Sequence, residues 1–335
     1  MAHTFRAAMT PPYDFGPGSV ERTVEFIQWA ESIGYQDVWL PDAGRIDALT
    51  LAAIALARTE RMRVGIAVVP AFTRTPAVLA ATVATLADIA PGRFALGLGS
   101  SSEAMIEGWH GLSLDRPLTR MRETLTVLQQ MLDGKKTDFT GSLVRSTGYQ
   151  QPPLSRDVAI LLAALGPKMT ELAVSSADGI ILNLFPLQVL DETIAQIRAA
   201  AHSAGREPGD IEIGSRFQVA VTDNVDEARA IFRFAFSPYF TNPVYNRHLA
   251  SAGYPEEAAA ILEAGSTRDW TRARAAMTDD LVDSIAVIGD KEYCQERVRT
   301  YVRAGITTPM LFCLSFDPNV QRDTFAAFAP KEFQP

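Results

Sequence analysis

Four apolar runs near the start of the chain recur about thirty residues apart, each followed by a stretch of helical length. They are FRAAMTP (5–11), YQDVWLPD (35–42), MRVGIAVVP (62–70) and RFALGLGSSSE (93–103). A short apolar run followed by a longer amphipathic or alanine-rich one reads as a βα unit. Repeated βα units build a parallel sheet. In such folds a small-molecule site is assembled from the loops at the carboxyl ends of the strands. The chain is therefore expected to be an enzyme, with its chemistry in a few loops.

The rhythm continues along the chain. Strands are predicted at residues 5–10, 37–40, 62–69, 94–99, 157–163, 179–183, 211–221 and 308–314. Helices are predicted at about 47–59, from Pro76 onward, at 118–132 and at 187–202. A polar helical turn is expected over 100–109, and 135–153 reads as a hairpin excursion. Eight strands in βα order predict an α/β fold, a single (β/α)8 TIM-type barrel over residues 1–335. Residues 226–287 exceed one crossover helix and read as a helical insertion. The helices following 47 and 76 are alanine-rich and apolar on nearly every side, whereas an outer helix needs one wet face. They are expected to form a subunit contact, and so a homodimer.

Composition narrows the partners. The 335 residues are 47% apolar and 21% charged, with a formal net charge of −8. That balance argues against a nucleic-acid partner. Apolar runs are broken well before the ~18 residues a spanning helix needs, so no membrane segment is expected. The start MAHTFRAAMT lacks a long apolar core, so no secretion signal is expected and a cytoplasmic location is. Cys294 and Cys313 have no CxxC spacing and are expected to be buried free thiols. His3, His110, His202 and His248 are scattered without HxxxH spacing, and no metal site is expected.

Four places carry candidate chemistry. GLGSSSE puts Gly99, Ser100, Ser101 and Ser102 at a strand end, where N–H and hydroxyl groups can hold a ligand; Glu103 could serve as an acid or sit in a helix's first turn. The third glycine of a dinucleotide fingerprint is missing at Ser102. In LGPK, Gly166 and Pro167 open a helix that could cradle a phosphate, with Lys168 adding a cation. Asp42 and Asn183 end strands and could meet a ligand. His110, beside Trp109, is a second acid–base candidate.

VWLPD, VGIAVVPAFTRTPAVLAATVATLADIAPGRFALGLGSSS, EGWHGLSLDRPLTRMRETL, LAALGPKMTELAVSSADGIILN and AVIGDKEYCQERVRTYVRAGI together resemble the bacterial-luciferase-like family. The likeness is greatest to its coenzyme F420-dependent oxidoreductases. It spans nearly the whole chain and is weakest over 232–279. The resemblance implies a TIM-type barrel with an insertion, a dimer built on early helices, and a cofactor at the carboxyl face. It implies a non-proline cis bond at Ala67–Val68 behind the cofactor's middle ring. It also places Asp42, Ser100–Ser102, Gly166, Pro167 and Asn183 near that cofactor. The implied activity is hydride transfer between F420 and a small organic substrate. A flavin mononucleotide (FMN) monooxygenase and a non-catalytic flavin- or deazaflavin-binding barrel are the alternatives. A Schiff-base aldolase barrel is disfavoured, because no lysine ends a predicted strand. Several deazaflavin dehydrogenases of this family carry a histidine immediately after the strand-two carboxylate; this chain has Ala43.

Overall fold

A computed structural model describes residues 4–13, 16–44 and 46–335. His3 lies outside them. In chain order the first elements are β1 (Ala8–Thr10), α1 (Ser19–Ser32), β2 (Asp37–Leu40), α2 (Ala48–Arg58), β3 (Arg63–Pro70), α3 (Pro76–Ile89) and β4 (Phe94–Gly99). A π-helical turn (Ala104–Trp109) leads to α4 (Pro117–Leu132), β5 (Asp138–Thr140), β6 (Arg145–Thr147), β7 (Ala159–Ala163), α5 (Pro167–Ser176) and β8 (Gly179–Asn183). Then come α6 (Leu190–Ser203), β9 (Glu212–Val221), α7 (Val225–Phe240), α8 (Pro243–Ser251), α9 (Pro255–Ser266), α10 (Trp270–Ala275) and α11 (Asp279–Ile285). The chain closes with β10 (Val287–Gly289), α12 (Lys291–Ala304), β11 (Thr308–Cys313) and α13 (Pro318–Ala327).

Two compact units divide the chain. One holds residues 13–31 and 36–181. Its strands run parallel in the order β2–β3–β4–β7, with β7 paired to the first residues of β8. Val64, Ile66, Leu96, Leu98, Leu161 and Leu162 are wholly buried. Such continuous apolar strands are what a parallel sheet covered on both faces demands. The turn into β3 is secured by Glu31, whose carboxylate accepts the N–H groups of Glu60, Arg61 and Met62 at 2.8–3.1 Å. Asp47 caps α2 by accepting the Thr50 N–H at 2.7 Å.

After α4 the chain makes its excursion and returns. Strands β5 and β6 pair antiparallel, as the sequence predicts for 135–153. The Leu154 N–H donates to the Leu132 carbonyl at 3.1 Å, so the excursion leaves and rejoins at one place. Glu123 of α4 latches it. Its carboxylate accepts the N–H groups of Ser142, Leu143 and Val144 at 2.8 Å and the Ser142 hydroxyl at 2.9 Å.

The other unit holds residues 1–12, 32–35 and 182–335, of which 4–12, 32–35 and 182–335 are described. Here β1, β11, β9 and β10 lie side by side and parallel. Helices α7, α8, α9 and α11 bury Phe232, Phe240, Leu249, Ile261 and Leu281 in a cluster that also takes in Ala220 and Ile288 of the sheet. The late helical segment thus shares a core with β9 and β10.

Three elements differ from expectation. β1 covers three residues where 5–10 was predicted: its ladder with β11 starts only at Ala8, opposite Met310, and stops as expected before Pro11 and Pro12, which offer no N–H. Val287, the last residue assigned to the insertion, opens a strand not predicted at 287–289, in which it pairs with Val219. The helix predicted at 187–202 splits into a 3₁₀ turn (Leu187–Val189) followed by α6. Cys294 and Cys313 are buried and free, as expected.

Candidate functional site

The carboxyl ends of β2, β3, β4 and β7 lie along one edge of their unit, and most of the predicted site residues follow them. The most unusual backbone is in β3. Its pairing with β4 slips between Ile66 and Val69, and the Ala67–Val68 peptide bond is cis. Ala67 and Val68 are half-exposed, whereas Val64, Gly65, Ile66, Val69 and Pro70 are buried. The bulge therefore turns two small residues out of an otherwise covered strand.

The bulge explains the glycines opposite. A Cβ on Gly97 would stand 2.1 Å from the Ile66 carbonyl oxygen, and one on Gly99 2.4 Å from Val68 Cγ2. Strand β4 can pass the bulge only with hydrogen at both positions. Gly99, expected in a ligand cradle, also has a packing role against Val68. Beyond it, Ser100, Ser101 and Ser102 are half-buried, and Ser101 adopts a left-handed backbone (φ 64°). Ser102 opens the π-helical turn, its carbonyl accepting the Ile106 N–H at 2.9 Å. Glu103 is exposed, as is His110. The Trp109 ring covers Gly44, with a Cβ there 3.2 Å from the ring, yet stays 61% exposed.

Asp42 is better placed for chemistry. Its side chain is 11% exposed, and its Oδ2 accepts from Arg74 Nη1 at 3.0 Å. The other arm of the same guanidinium donates to Asp47. Burial pushes the Asp42 carboxyl above its ordinary range; Arg74 pulls against this, Asp47 adds to it, and the Ala48 N–H and His110 oppose it. Asp47 goes the other way. Burial would raise its pKa, but the Thr50 hydroxyl and N–H and the Arg74 charge outweigh it and hold it below the usual range. Two carboxylates on one guanidinium are thus driven apart, the usual arrangement behind a division of acid and base roles. The sequence reading missed Arg74. Its only signal was a lone cation in PAFTRTPAV, between a strand end and a proline-started helix.

Gly166 precedes α5 with an extended backbone, and a Cβ there would meet nothing within 4 Å. Pro167 occupies the first helical position, where its missing N–H costs nothing. Lys168 is exposed at the next. The first-turn N–H groups of such a helix point away from its body and favour an anion.

Asn183 belongs to the other unit. It donates to the Tyr245 hydroxyl at 3.4 Å and accepts from Gln218 at 3.3 Å. Burial, above all, pushes the Tyr245 phenol up to about 12, so it is neutral. Gln218 and Tyr245 went unnoticed in the sequence, because they meet only through tertiary folding. Among the described residues, no group of three or more His, Cys, Asp or Glu could hold a metal ion.

Comparisons with known proteins bear on the family and the fold. The family described as luciferase-like monooxygenase matches residues 2–308. A 5,10-methylenetetrahydromethanopterin reductase of Methanolobus tindarius is 27% identical over 308 residues, covering 89% of this chain and 92% of the relative. The solved coenzyme F420-dependent tetrahydromethanopterin reductase of Methanopyrus kandleri superposes with a TM-score of 0.82 at 20% identity, covering 99% of each chain. An F420-dependent secondary alcohol dehydrogenase, solved with an F420–acetone adduct, gives a TM-score of 0.79 at 20% identity over 99% of this chain and 100% of its own. The fold is thus the TIM-type α/β fold expected from the eight strands.

Proposed function

The chain belongs to the luciferase-like monooxygenase family, and from that premise we propose that it is an oxidoreductase transferring hydride between coenzyme F420 and a small organic substrate. The observation that carries this reading is the β3 bulge. A tricyclic ring needs a flat backing without protruding side chains. Ala67 and Val68 are the residues that β3 turns out of its covered face, and Val68 is held down over Gly97 and Gly99. The residues present therefore fit such a ring.

In this reading Ala67 and Val68 back the ring, and Asp42 meets its polar edge. Ser100–Ser102, Gly99, Gly166, Pro167 and Lys168 hold the phosphate-bearing arm, with α5 contributing N–H donors. When bound, the deazaflavin supplies a carbon that gives or takes hydride. The chain's own task is to bind, orient and manage a proton. Asp42 is the first candidate for that proton, ahead of the exposed Glu103 and His110. We also place Asn183 among the ligand-binding groups, held by Gln218 and Tyr245. We further propose a cytoplasmic homodimer joined through α2 and α3, with 226–287 as an insertion in one domain. Val78 and Ile89 of α3 are 56% and 41% exposed, which suits a covered face.

The test is a titration of the purified protein with F420 and, in parallel, with FMN, followed by cofactor fluorescence. Saturable binding of F420 with weak or absent FMN binding supports the proposal. Binding of FMN alone replaces it with a flavin monooxygenase.

A further inference from the structure

We propose that Arg74 is a positioning residue which fixes the orientation and charge of Asp42 at the carboxyl edge of the sheet, with Asp47 as the competing anion on the same guanidinium. This rests on the reading of Asp42 as a cofactor contact only for its consequence in binding. The coupling itself is a property of the protein alone.

Three elements meet at this guanidinium: the end of β2 through Asp42, the cap of α2 through Asp47, and the loop after the β3 bulge through Arg74 itself. Arg74 is 20% exposed and Asp42 11%, so solvent screens the pair weakly. Asp47, at 48%, is the wetter partner. A planar fork can serve two carboxylates at once, which an ammonium cannot do with the same geometry. Among the described residues, the groups facing Asp42 are Arg74, Asp47, the Ala48 N–H and His110. Among the described residues, only Arg74 both bonds to the Asp42 carboxylate and carries a fixed positive charge. Removing that charge leaves burial and Asp47 acting in the same direction, toward a protonated Asp42. Removing the Asp47 charge does the reverse. A residue that merely braced the loop would not give two variants opposite signs.

The test is a pH titration of the Asp42 carboxyl by ¹³C NMR in the cofactor-free protein, the resonance being assigned by its loss in D42N. The Asp42 midpoint is expected to rise by about one pH unit in R74M and to fall in D47N. R74K gives a smaller rise than R74M, because it keeps the charge but loses the fork. R74Q serves in place of R74M if that variant does not fold. Midpoints unchanged in both R74M and D47N, or moving in the same direction, overturn the assignment. F420 titration of the same variants separates the two claims. If wild type binds F420, R74M is expected to bind it about tenfold more weakly at neutral pH, with R74K between them. Wild type that fails to bind F420 removes the proposed function while leaving the NMR result to decide the role of Arg74.

Discussion

At the scale of the residue, Gly97 and Gly99 teach the most. Their spacing after an apolar run was legible in the sequence, and so was their place at a strand end. Their reason was not, because the atoms that exclude a Cβ belong to Ile66 and Val68, some thirty residues earlier in the chain. Gly99→Ala should destabilise the protein by about 1–3 kcal/mol, the usual cost of overpacking a filled site. Urea denaturation would read this as a lower midpoint with unchanged slope. Gly97→Ala should cost more, since its Cβ meets a backbone oxygen rather than a rotatable methyl. Gly166→Glu is the contrasting case: the site has room, so stability should hold while affinity for the phosphate-bearing cofactor falls. Denaturation and F420 titration on the same sample would separate the two effects, and unchanged affinity would remove LGPK from the site. Asp42 was visible as a strand-end carboxylate, but its partner was not. A cation thirty-two residues away becomes a neighbour only when β2 and β3 pair.

At the scale of the element, strong local pattern was read well and weak pattern was not. The strand at Gly179–Asn183 falls where GIILN placed it, and α4, predicted at 118–132, buries Met121, Leu125, Leu128 and Leu132 and half-buries Leu118. β10 escaped because three apolar residues after a short helix carry no period of their own. The β5–β6 excursion offers a test of one latch. Burial would raise the pKa of Glu123, but three backbone N–H groups and the Ser142 hydroxyl outweigh it and hold the carboxyl down to about 2. A depressed carboxylate stabilises the fold above its ordinary pKa. That contribution fades as pH falls through the ordinary range and is gone below about 2. In Glu123→Gln the amide exchange protection of residues 138–147 should drop at pH 7, and the wild type should approach the variant as acid is added. Equal protection at pH 7 would show that the latch contributes nothing.

At the scale of the whole molecule, the dimer proposed through α2 and α3 can be tested on α3. α3 carries no charged residue before Asp88, and Val78 is more than half exposed. Ala81, on the exposed side of the same helix, should tolerate lysine in a lone chain but not within a covered contact. Sedimentation of Ala81→Lys is expected to show a smaller species than wild type with the melting curve little changed; an unshifted dimer would place the contact elsewhere. The excursion after α4 has a different consequence. Its two stems are pinned together by the Leu154–Leu132 hydrogen bond, and both its strands alternate exposed and half-exposed residues. A closed detour of that kind is a natural splice point: the intervening stretch could be swapped for a short linker, or for a foreign module, at little entropic penalty to the remaining scaffold.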